Sequence, residues 1–261
     1  MLMKFNLSIS TKAVTHILIR VIIGLTLLSF LGQLMVYFLP ENQLTTYFAK
    51  AFNVDLERNI PTLYSCFGLL FSSMLLGAIA YGKKLENNRY TRHWMILSGI
   101  LFYQCLDEGA QLHEKLIMPL RTLFQASGFL YFTWVVPAFV LLALFGLFYL
   151  KFINHFPIKF RNLFIMAGLV YIGGALGMEL LGGHYASVNG MDNIGYQVFV
   201  TIEEFLEMLG IVIFINALQS YIIFSFKDLI VEVRLEDFPQ IVEEKISNRT
   251  LTPEIHTQDL S

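Results

Sequence analysis

Seven carboxylates stand inside, or at the ends of, long apolar stretches of this chain: Asp107, Glu108 and Glu114 in one, Glu179 in a second, Glu203, Glu204 and Glu207 in a third. An acidic side chain at the centre of a bilayer costs about 2.5–3.5 kcal/mol even on the lenient insertion scale, so such residues are functional by default. Gathered in a low-dielectric bundle, with Lys115 as their one plausible basic partner, they cannot all be ionised together. Either some carry protons or a cation sits among them. All-oxygen donors favour hard ions such as Ca²⁺, Mg²⁺ or Mn²⁺, or exchangeable Na⁺ and H⁺, whereas zinc prefers more His or Cys. A divalent cation is one candidate cofactor, beside exchangeable Na⁺ or H⁺. Asp107, Glu108, Glu179, Glu204 and Glu207 would be its ligands, with His113 and His184 within reach, and Gln104, Gln111 and Lys115 would supply supporting polar contacts.

The rest of the sequence says what must position these groups. The chain has 261 residues, 56% apolar and 15% charged, with mean hydropathy +0.60. Soluble domains carry about 25% charged residues. The reading is an all-α polytopic bundle embedded in the lipid bilayer, with six spans near residues 13–39, 61–82, 94–114, 130–153, 162–184 and 195–226. A polar, acidic, largely disordered tail follows at 227–261. Of the 18 Lys and Arg, only Lys50, Arg58, Lys115 and Arg121 fall on one side of such a bundle. The positive-inside rule then puts both termini in the cytoplasm. Trp94 and Trp134, near span starts, suit an interfacial aromatic belt. A net charge of −2 without a clustered basic face argues against nucleic acid as a partner.

Depth and angle bring the acids together. At about 1.5 Å per residue across a core of roughly 30 Å, Asp107 lies about 20 Å and Glu179 about 24 Å from the cytoplasmic boundary. Glu203 and Glu207 fall about 8–18 Å below the outer one, so all share the outer half. At about 100° per residue, Gln104, Asp107, Glu108, Gln111, Glu114 and Lys115 span an arc of about 120°, and Glu203, Glu204 and Glu207 share another face. His113 falls off the first stripe and His184 is about 140° from Glu179, unless the helices loosen near Pro119 and Gly182-Gly183.

Other features are read more plainly. Gly173 and Gly177 form a small-xxx-small pair expected to pack helices within the chain, with a homo-oligomer as the alternative. The outer loop from Asn53 to Thr62 is a candidate cap, with Arg58 reaching the acids. Cys66 and Cys105 fall in the outer halves of their spans, where two buried thiols are expected. Val231 to Leu235 alternates as a short strand would, and Asn248-Arg249-Thr250 fits a glycosylation pattern by chance.

Leu106-Asp107-Glu108 with His113-Glu114, Gly177-Met178-Glu179, and Thr201-Ile202-Glu203-Glu204-Phe205-Leu206-Glu207-Met208-Leu209-Gly210, together with Asn59-Ile60-Pro61-Thr62, resemble a family of uncharacterised bacterial multi-pass membrane proteins. The resemblance implies this architecture in a bacterial inner membrane and no particular activity. A second resemblance, to carboxylate-bridged di-iron proteins, meets a departure, since those use Glu-x-x-His pairs and here Glu108–His113 and Glu179–His184 are five apart. Three readings stand: a cation- or proton-binding protein coupled to transport, its acidic site facing outward; a metal-dependent membrane enzyme, a hydrolase or di-metal oxidoreductase acting on a lipid-like substrate; and a membrane assembly protein. One-sidedness of the acids favours the second, and the poor angles of the histidines favour the first.

Overall fold

Side-chain caps set where several helices begin. Asn42, Asn59 and Asn193 each keep an extended backbone and accept a backbone N–H from the first turn that follows: Leu44 at 3.1 Å, Thr62 at 3.2 Å and Tyr196 at 3.0 Å. Each such cap is worth about 1 kcal/mol. Pro61 adds a residue suited to a first helical turn, its missing N–H being one no helix bond needs there.

The computed structural model describes residues 10–40, 42–56 and 58–226, and the tail, with its expected strand and glycosylation pattern, lies outside them. In order come α1 (Thr11–Phe38), α2 (Gln43–Phe52), α3 (Ile60–Leu85), α4 (Thr91–Ala110), a 3-10 turn at Glu114–Leu116 and α5 (Ile117–Phe124). A second 3-10 turn at Gly128–Leu130 leads into α6 (Val135–Ile153), then α7 (Ile158–Ile172), a π-helical turn at Gly173–Met178, α8 (Glu179–Asn189) and α9 (Ile194–Ser225). Among the described residues there is no strand. By length and composition, α1, α3, α6 and the continuous stretch Ile158–Asn189 could each cross a membrane. The described residues fold as helices throughout, and four of the six expected spans, the first, second, fourth and fifth, fall on stretches long and apolar enough to cross a membrane.

At 32 residues α9 is the axis of the bundle, about 48 Å long. It packs on α1, α3, α7, the π turn and α8, while α3 pairs with α4 and α2 folds back on α1. The core at one end is aromatic: Trp94, Tyr149, Phe152, Phe156, Phe160 and Tyr221 surround Leu76, Ile79 and Leu218. Smaller clusters follow along α9, with Ile22, Met208 and Val212 together, then Tyr196 and Val200 with Val54 and Ala186 at the other end.

Four expectations change. Trp94 is only 2% exposed and stacks on Tyr221 at 5.1 Å, so it is core and not part of an interfacial belt. The segments taken as loops between the first two and the third and fourth spans hold short helices, α2 and α5. The expected third span stops four residues early, because Gln111 turns into the left-handed region (φ 53°) and caps α4 by donating its N–H to the Asp107 carbonyl at 2.8 Å. Finally, Gly173 and Gly177 face open space, and the close approach of helices is made elsewhere.

Candidate functional site

Two other glycines make that approach. A Cβ on Gly174 would lie 2.8 Å from the Glu203 carbonyl and 3.0 Å from Glu207 Cγ, and one on Gly210 would lie 2.7 Å from the Tyr171 backbone nitrogen. Both positions need hydrogen in place of a side chain so that the π turn, at Gly174, and α7, at Tyr171, can each touch α9. The π turn, which joins α7 to α8, adds to the helix register just before Glu179. Such turns are rare and concentrate at functional positions.

The result sets Glu179 on α8 against Glu203 on α9, their carboxyl groups meeting as hydrogen-bond partners. Glu179 Oε1 also accepts the indole N–H of Trp134 at 2.6 Å. One turn further along α9, Glu207 meets the buried hydroxyl of Tyr171, and Glu108 meets Ser65 on α3. The charges of Asp107, Glu108 and Glu179 act on Glu207, that of Asp107 on Glu108, and those of Glu179, Glu204 and Glu207 on Glu203. Acids from α4, α8 and α9 therefore form one cluster inside the bundle, half-buried or better.

Asp107 and His113 form a second, tightly defined unit. Asp107 is buried, and its Oδ1 accepts the His113 backbone N–H at 2.9 Å while Oδ2 meets the ring Nδ1 at 2.8 Å. The ring packs against that of Trp134, with centroids 4.7 Å apart. Counting 100° per residue placed His113 off the stripe. Since the helix ends at Ala110, that count does not apply beyond it, and the turn at Gln111 folds His113 back onto Asp107. For the same reason Glu114 and Lys115 leave the stripe and are exposed in the 3-10 turn, Gln111 serves as a helix cap, and Gln104 alone of the supporting residues stays on α4 beside the acids, half-buried. His184 is exposed and stacks on Phe129 at 4.3 Å.

The loop expected to cap the site is held in place, though not by Arg58, which is exposed and makes no ion pair with a described residue. Asn59 donates to the Leu56 carbonyl at 2.6 Å, Ser29 Oγ accepts the Val54 N–H at 3.1 Å, and Gln197 Nε2 donates to Asp55 at 3.1 Å. Burial holds the Asp55 carboxyl above the usual aspartate range, with the Gln197 hydrogen bond opposing. Cys66 donates its thiol to the Cys105 carbonyl at 3.5 Å, and the two are not joined by a disulfide.

Two carboxyls in contact, a third bonded to a phenol and a carboxylate clamping an imidazole can store and hand on protons. Among the described residues no group of three or more His, Cys, Asp or Glu side chains is arranged to hold a metal ion. Tyr171 and Ser65 escaped the sequence reading and carry no signal outside three dimensions, Trp134 was placed at a membrane interface by its position, and Gly174 and Gly210 lay within stretches that were singled out without being read as the contact points.

The family model described as "Domain of unknown function (DUF8692)" matches residues 18–221, and the chain belongs to that family. No curated protein and no solved structure matches it.

Proposed function

We propose that this family member is a six-span protein of a bacterial cell membrane, with both termini in the cytoplasm. Its carboxylate pocket lies in the outer half of the bilayer, opens outward, and binds and releases a proton or small cation in ion-coupled transport. The observation that carries the reading is the meeting of Glu179 with Glu203. Two carboxylates so close repel strongly unless a proton or cation lies between them, and a pair of this kind titrates as a unit. Membrane-embedded acids arranged in this way mark ion and proton pathways. Their supply from three separate helices also supports it, because a relative shift of α8 and α9 would make or break the pair and so couple ion occupancy to conformation.

The test is proton movement in vesicles holding the full-length chain, with a pH-sensitive dye inside and an imposed gradient. The proposal expects flux above that of protein-free vesicles, lost in Glu203→Gln. Flux equal to empty vesicles, together with a stoichiometric transition metal that disappears in Glu204→Ala, would replace it with the metal-dependent enzyme.

A further inference from the structure

The turn before α4 and the end of α6 meet at one side chain, Tyr90. Asn88 shapes that turn: its side-chain oxygen accepts the Tyr90 backbone N–H at 2.9 Å, and its carbonyl accepts the Thr91 hydroxyl at 2.7 Å. The Tyr90 hydroxyl donates to the Lys151 carbonyl at 3.3 Å, the His155 ring lies 4.8 Å from the tyrosine ring, and the Arg89 guanidinium sits over that ring at 4.6 Å. Arg89, Lys151 and His155 are exposed, and none of them makes an ion pair with a described residue. A negative group placed among them would meet two uncompensated cations and an imidazole donor.

The surface beside this cluster is apolar and has a direction. Leu141, Leu144, Phe148 and Lys151 follow at steps of three or four residues, which sets them within an arc of about 80° on α6. The first three are exposed, and Phe148 stacks on His93 at 4.7 Å, so the stripe runs along the side of α6 that meets the start of α4. From Leu141 to Lys151 it covers about 15 Å, the depth of one leaflet of a core roughly 30 Å thick. An apolar track one leaflet long that ends in cations matches a lipid with a negative headgroup better than a free anion, which has no use for the track.

We propose that this is a binding site for an anionic phospholipid, its phosphate held by Arg89, Lys151 and His155 and one acyl chain laid along Leu141, Leu144 and Phe148. Arg89 suits that part because its planar fork matches two phosphate oxygens, and its stacking on Tyr90 orders it before the lipid arrives. The proposal rests on the reading of the chain as membrane-spanning and is independent of ion movement through the acid cluster.

Native mass spectrometry of the full-length chain in detergent tests it, as phosphatidylglycerol or phosphatidylcholine with the same acyl chains is titrated in. Phosphatidylglycerol should bind about tenfold more tightly or better, and Arg89→Gln and Lys151→Gln should each weaken it about fivefold without changing phosphatidylcholine. Tyr90→Leu keeps every charge and should weaken it too, whereas Lys12→Gln, on α1, should leave it unchanged. Equal binding of the two lipids, an equal loss in Lys12→Gln, or displacement of phosphatidylglycerol by equimolar inorganic phosphate overturns the inference and leaves the membrane reading intact. A chain that stays in the aqueous phase without detergent and takes up neither lipid sinks the membrane reading, and the inference with it.

Discussion

Trp134 donates its indole N–H to Glu179 at 2.6 Å while its ring lies 4.7 Å from that of His113, so one side chain touches both polar units of the site. Trp134→Phe keeps an aromatic ring beside His113 and removes the donor. Thermal unfolding in detergent should show a loss of about 1–3 kcal/mol, the cost of leaving a buried acceptor unmatched. In a Glu179→Leu background the same change should cost much less. Equal losses in both backgrounds would mean that the bond contributes nothing.

The glycines of the fifth expected span should respond with opposite signs. Gly174→Ala puts a methyl 2.8 Å from the Glu203 carbonyl, so α9 must move and stability should fall by about 1–3 kcal/mol. Gly173→Ala meets nothing within 4 Å and should be neutral or slightly stabilising, since alanine favours a helix by up to about 1 kcal/mol over glycine. Melting temperatures of the two variants decide it. A destabilised Gly173→Ala would show that this face is covered by something outside the chain.

Gln111 holds a left-handed conformation that costs an L-residue about 1–2 kcal/mol relative to glycine. Gln111→Gly should therefore be tolerated or modestly stabilising, whereas Gln111→Val should destabilise. Because the turn at this position brings His113 to Asp107, the valine variant should also alter the nitrogen-15 signals of His113. Unaltered signals would separate the turn from the pairing.

What the sequence made legible follows from which rules survive packing. Acids in apolar stretches are costly wherever they sit, so Asp107, Glu108, Glu179, Glu203, Glu204 and Glu207 stood out, and hydropathy located the helices that carry them. Angular counting worked along α9, where Glu203 and Glu207 lie within uninterrupted helix. It failed past Ala110, since one left-handed residue voids the 100° step. The π turn has the same effect on glycine patterns: Gly173 and Gly177 are spaced for contact, yet Gly174 makes it. Short helices such as α2 gave only a weak signal, being too brief for hydropathy windows, although Leu44, Tyr47 and Phe48 are more apolar than a loop needs.

Asp55 gives the outer loop a pH dependence of known sign. Burial raises its folded-state value above that in the unfolded chain, so between the two values the folded protein binds more protons. Stability is then greatest below the usual aspartate range and declines as pH rises through the raised value, levelling off beyond it. Asp55→Asn, which can still accept from Gln197, should remove this contribution and be more stable than wild type at neutral pH. A variant less stable at neutral pH would show the ionised carboxylate to be favoured by the loop.

The central claim, a proton or cation held between Glu179 and Glu203, is tested most directly by the infrared difference spectrum of wild type minus Glu203→Gln in nanodiscs at neutral pH. The account predicts a protonated-carboxyl band in the wild type that is missing from the variant, or, if a cation takes the proton's place, a carboxylate band whose position shifts when the cation is exchanged. Two carboxylate bands insensitive to both pH and cation would contradict it.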